Sequence, residues 1–196
     1  MGALLPRAVY IRAMPRRIFS FNEPERFVAG TVGQPGGRTF FLQARDGRRV
    51  ISVVLEKAQV VVLAERLGQL LDELGRRGLE MPLAGEVVQD TEPLDEPLIE
   101  AFRAGTLTLT WDGDQERVIV EAREMVPDED AESVEVADED DDGPDLIRVV
   151  MRPVAARGFA ERAIAVVGAG RPPCPLCGQP LDPQGHICPR RNGYLN

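Results

Sequence analysis

All three cysteines and the only histidine of this chain fall between positions 174 and 188, in Cys174-Pro175-Leu176-Cys177-Gly178 and then Gly185-His186-Ile187-Cys188-Pro189. No other stretch restricts the backbone as tightly. Two thiols at Cys-x2-Cys spacing, eight residues, and then His-x-Cys give four soft or borderline ligands, the set that Zn2+ takes in a closed tetrahedral site. Pro175 fixes one backbone angle, and Gly178 tolerates the left-handed geometry that lets the chain turn away. The intervening residues suffice for a short strand and a turn, so two knuckles can face each other across one ion.

Two other readings compete with this one. Three cysteines cannot all pair as disulfides, and a reactive Cys-x-x-Cys normally opens a helix, which Pro175, Gly178 and Pro180 oppose. The spacing therefore predicts a structural zinc site with ligands Cys174, Cys177, His186 and Cys188, in a zinc-ribbon or zinc-knuckle arrangement. Four protein ligands leave no open position for a reacting water, which argues against a catalytic metal. So short a tail has no apolar core of its own, and its order is expected to come from the metal.

The rest of the chain reads as strands and helices. Ile18-Phe19-Ser20-Phe21, Arg26–Val32, Arg38–Ala44 and Arg49–Leu55 are β-branched or aromatic runs split by turn signals, the Asp46-Gly47 pair being a strong hairpin signal. They predict an antiparallel meander. The glycines at 30, 33, 36 and 37 join strand to strand, without the helix or the Lys-Ser/Thr of a phosphate-binding loop. Val60, Leu63, Leu67, Leu70, Leu71 and Leu74 then recur at helical spacing, giving one apolar stripe to lay on the meander. Residues 79–97, rich in proline and acids, read as a connection. A second hairpin, Thr106–Trp111 with Arg117–Ala122, a strand at Leu146–Met151, and a helix from Ala155 to Val167 complete an α+β body: an antiparallel meander or mixed sheet packed by two helices, with the knuckle behind it.

The net charge of −9 conceals an uneven distribution. Eleven acids and no base lie between Asp128 and Asp145; without them, 21 acids stand against 23 bases. The like-charged block 127–145 reads as a solvated, disordered loop, and the body as slightly basic. The expected units are an N-terminal extension, 1–13, ahead of a second start-like Met14; the body, 14–170; and the zinc tail, 171–196. No apolar run has the length of a membrane span, and thiols committed to metal suit a reducing cytoplasm.

Glu25–Gly33, Arg38–Ala44, Leu55–Val60, and Gly170-Arg171-Pro172-Pro173-Cys174-Pro175-Leu176-Cys177 through His186-Ile187-Cys188-Pro189-Arg190 together resemble a family of uncharacterised actinobacterial proteins of about this length, classed as a domain of unknown function. The resemblance implies an actinobacterial, cytosolic setting and the later start at Met14, but no activity.

The leading functional expectation is a non-catalytic interaction protein. Its zinc tail, flanked by Arg171, Arg190 and Arg191, would contact a protein, a nucleic acid or a nucleic-acid-handling complex, and no membrane. Few aromatics are available for stacking on single strands. A small-ligand site or enzyme is the rival: with no histidine or cysteine outside the tail, it would rest on Glu56 and Lys57 at a strand-to-helix junction, with Arg38 nearby. The bland account of those charges is helix capping and surface pairing. A third reading makes the zinc a staple that docks the C-terminus.

Overall fold

The computed structural model describes residues 16–126, 143–170, 174–177, 188 and 190. Among the described residues nine elements follow one another: β1 (Ile18–Asn22), β2 (Arg26–Val32), β3 (Thr39–Asp46), β4 (Arg49–Leu55), α1 (Lys57–Arg76), β5 (Glu100–Asp112), β6 (Arg117–Glu124), β7 (Leu146–Met151) and α2 (Pro153–Gly168). They form an α+β fold in which one mixed, seven-stranded sheet, ordered β1-β7-β6-β5-β4-β3-β2, packs against two helices. The extension 1–13 and most of the acidic loop lie outside the described residues. Asp145, grouped with that loop by its charge, is instead buried and holds the main-chain N–H (2.8 Å) and Nε (2.7 Å) of Arg17.

The meander holds for β2, β3 and β4, which pair antiparallel through the Asp46-Gly47 turn, Gly47 taking φ 55°. The strand before it, β1, belongs elsewhere. It pairs parallel with β7, Ile18 opposite Leu146 and Phe21 opposite Val149, at the far edge of the sheet.

The sheet bends at β5. Its first residues pair parallel with Ser52–Val54 of β4, and from Ala104 onward it pairs antiparallel with β6, with register shifts at both changes. Gly105 stands at the switch because the backbone of Met125 crosses there: an added Cβ would lie 2.9 Å from Met125 Cα. Beyond the bend β5 leaves the start of β4, where Arg49 donates to the Ser20 carbonyl of β1 (3.0 Å) with its guanidinium 4.5 Å from the Phe21 ring centre. The stacked rings of Phe19 and Phe102, 6.3 Å apart, mark the same curl.

Both helices fill the hollow of this bent sheet. Val60, Leu63, Ala64, Leu67, Leu71 and Leu74 form the buried stripe of α1; each leucine so buried contributes about 1.5–3 kcal/mol. Leu70 is only half-buried. Gln59 latches the first turn of α1 to the bend, donating to the carbonyls of Ala104 (3.1 Å) and Gly105 (2.9 Å). α2 lies beside α1 and stacks Phe159 on Phe27 of β2, ring centres 4.6 Å apart. Pro153 opens it, where a missing N–H costs nothing.

Residues 79–99 have no regular structure, as their composition implies, yet they are firmly held. They form a strap around the free edge of β2. On the helix side, Arg157 donates to the Pro82 carbonyl (3.1 Å) and Glu161 accepts from the Gly85 N–H (2.6 Å). At the edge, Arg162 donates to Ala29 O (2.9 Å), Glu92 O (2.7 Å), Asp90 Oδ1 (2.7 Å) and Asp90 O, while Arg26 grips Asp90 (2.6 Å) and Asp95 (2.7 Å). On the opposite face, Leu94 sits where a Cβ on Gly30 would be, and Gln43 exchanges hydrogen bonds with the main chain of Asp95.

These guanidiniums are buried, with 9% of the Arg26 side chain and 8% of Arg162 exposed. Hydrogen bonding to Asp90 raises the Arg26 pKa, whereas desolvation, followed by the field of Arg26, lowers that of Arg162. Asp90 itself is held below the ordinary carboxylate range, first by its hydrogen bond from Arg26.

Candidate metal centre

The path into the cysteine segment is set by the end of α2. The last turn of that helix carries no basic residue of its own and leaves carbonyls without helical partners. Arg38, just before β3, supplies the missing charge. Its Nη1 donates to Val166 O (3.1 Å) and Ala169 O (3.4 Å), and its guanidinium stands 5.3 Å from the centre of the Phe40 ring. Nη2 of Arg38 would also lie 3.3 Å from a Cβ on Gly170, so the exit of the helix is fitted closely to it.

The segment Cys174–Cys177 then turns. Cys174 is buried, Pro175 and Leu176 are exposed, and Cys177 is half-buried. Cys188 returns to the same point and is buried as well, with 6% exposed for both Cys174 and Cys188. The sulfurs of Cys174 and Cys188 are 3.9 Å apart, and all three Sγ atoms lie within 4.8 Å of one another. That separation is far longer than a disulfide bond. It is near the roughly 3.8 Å that tetrahedral thiolates take when each lies about 2.3 Å from a shared zinc-sized ion. Arg190 closes the arrangement by donating from Nη1 to the Leu176 carbonyl (3.0 Å), tying the chain after Cys188 to the first turn. Three soft ligands thus converge where a metal ion can be held. His186, Arg171 and Arg191 lie outside the described residues.

The other predicted constellation is not gathered in this way. Arg38 is engaged with α2, whereas Glu56 pairs with Arg103 (2.8 Å) and its N–H is accepted by Gln59 Oε1 (2.8 Å) at the start of α1. Lys57 is exposed on the first turn of that helix. Of the neighbouring arginines, Arg45 pairs with Glu25 (2.6 Å), and Arg49 reaches β1. Sequence reasoning did not find the Arg26, Asp90 and Arg162 cluster. The available signal was two arginines, Arg157 and Arg162, among the apolar positions of α2.

No curated protein and no solved structure matches the chain. Residues 19–188, which run from β1 through the sheet and both helices to the third cysteine, match a family described as a protein of unknown function, DUF3090, and the chain belongs to that family.

Proposed function

We propose that this chain is a non-catalytic, zinc-containing interaction protein in which the C-terminal knuckle is the contact surface. The convergence of three sulfurs within 4.8 Å carries the reading. With His186 as fourth ligand, as the Cys-x2-Cys and His-x-Cys spacing implies, the ion is closed to substrate and its role is to order the tail. The outward side of the knuckle supports recognition over a simple staple: Leu176 is 49% exposed and Arg190 is exposed beside it. An apolar side chain next to a guanidinium suits a macromolecular partner that offers a hydrophobic recess bordered by a carboxylate or phosphate.

The test has two parts. Elemental analysis of the full chain is expected to give one zinc per molecule, lost in Cys174→Ser and sharply reduced in His186→Ala; a Cys174→Ser protein that retains its zinc refutes the ligand set. Affinity capture from the native host then compares wild type with a Leu176→Ala, Arg190→Ala double variant that keeps its zinc. A partner set unchanged by the double variant refutes the contact surface and leaves a staple.

A further inference from the structure

The sheet has an edge that its strand order conceals. At its two ends the main chain is protected: the strap covers β2, and β1 is only five residues long, its Ser20 carbonyl taking a hydrogen bond from Arg49. β5 is an internal strand, but its pairing with β4 ends at Arg103, while its pairing with β6 runs on to Asp112. From Thr106 to Asp112 it therefore has a strand on one side alone among the described residues. The other side presents a row of N–H and C=O groups of the kind on which a further strand assembles.

Nothing along this stretch discourages pairing. Thr106-Leu107-Thr108-Leu109-Thr110-Trp111 contains no charge and no proline, the residues with which natural edges are blunted, and its register with β6 is unbroken. Its two faces differ. Thr106, Thr108 and Thr110 are exposed on the outer face, whereas Leu107, Leu109 and Trp111 pack on the core from the inner face and are only half-buried. Beside Leu107 the start of α1 leaves a recess of about 260 Å³, lined by Ala58, Gln59, Val62 and Gly105, with Val62 54% exposed.

We infer that this edge pairs with the same edge of a second copy of the chain, antiparallel about a two-fold axis at Leu109, so that one sheet runs through a dimer. The edge is complementary to itself in that register. Thr108 of one protomer stands opposite Thr110 of the other, and Leu107 opposite Trp111, like faces meeting on both sides. The indole then lies against Leu107 and the recess beside it, out of water. The same register carries the Asp112–Asp114 turn of each protomer toward the first turn of α1 in the other. There Lys57 is exposed and has no ion pair among the described residues, and Asp114 is exposed likewise. An unrelated peptide could use the main chain, but the threonine ladder, the indole with its recess and the opposite charges at the two ends are all supplied by this chain itself. The inference is independent of the sulfur cluster.

The test is sedimentation velocity on the full chain over about a hundredfold range of concentration, up to roughly 100 μM, where a dimer of micromolar affinity is populated. A reversible monomer–dimer equilibrium is expected. Thr108→Lys combined with Thr110→Lys sets like charges opposite each other twice across the axis and is expected to weaken the dimer about tenfold. Thr108→Lys combined with Thr110→Glu makes both pairs opposite in sign and is expected to restore it. Both positions are exposed, and circular dichroism with Trp111 fluorescence checks that each variant folds as wild type does. A wild-type chain that stays monomeric over the whole range, a dimer that the two lysines leave intact, or two variants weakened equally overturns the assignment.

Discussion

Replacing Arg162 by methionine tests what holds the strap. Methionine fills much of the stem's volume but leaves the carbonyls of Ala29 and Asp90 without the donor that now satisfies them, and leaves the Glu92 carbonyl and the Asp90 carboxylate to Arg26 alone. Removing one partner of a buried charge cluster typically costs about 3–5 kcal/mol. Because a third of Asp90 is exposed, water can replace part of what is lost, which brings the expectation to about 3 kcal/mol. For a chain of this length, roughly 2–4 °C per kcal/mol gives a melting temperature about 10 °C lower. The single tryptophan, Trp111 on β5, reports unfolding in guanidinium, and amide exchange reports the strap directly. Arg162→Lys is expected to recover little, since a point charge cannot span acceptors placed for a planar fork. A loss below about 1 kcal/mol, or an exchange pattern at residues 85–95 identical to wild type, would refute the claim that this guanidinium locks the strap to β2.

Three further outcomes follow from the geometry. Asp90→Asn is expected to lower stability at neutral pH, and the gap from wild type to close in acid. The folded pKa of Asp90 is depressed, so its contribution is present above the unfolded value near ~3.9 and disappears as pH falls through the lower folded value; denaturation midpoints that keep the same gap at the acid limit contradict this. Gly30→Val places a Cβ 2.6 Å from Leu94 Cγ and is expected to cost about 1–3 kcal/mol in thermal melts, with Leu94→Ala restoring part of it; a double variant no better than Gly30→Val would show that Leu94 is not the obstacle. Arg38→Ala is expected to fray the last turn of α2 and weaken metal binding by the tail, measured by competition with a chromogenic chelator; an unchanged affinity separates the helix end from the metal centre.

Local chemistry was legible in the sequence, and long-range partnership was not. The Asp-Gly turn and the β-branched or aromatic runs beside it located β2 to β4, and the leucine spacing located α1, because residue type, period and turn type are written into a few adjacent positions. Nothing near Ile18 indicates that β1 crosses to β7, since an apolar run fits any neighbour of matching length. β5 starts earlier than its threonine-rich half implies: Glu100–Arg103 pair with β4, and Gly105 resembles a break although the strand continues through it. Arginine is read as solvated by default, so burial of Arg26, Arg157 and Arg162 against a loop had no pattern to announce it. The three converging cysteines were legible because metal ligation needs only residue type and spacing.

The pairing of β1 with β7 also has a consequence during synthesis. Residues 128 positions apart must meet before the first strand has a strand to pair with. At roughly 5–20 residues per second, a ribosome leaves Phe19 and Phe21 without a partner strand for about ten seconds, longer than hydrophobic collapse needs. The nascent chain is therefore expected to carry an aromatic edge that chaperones can recognise until Leu146 emerges, and fragments ending earlier to aggregate through it.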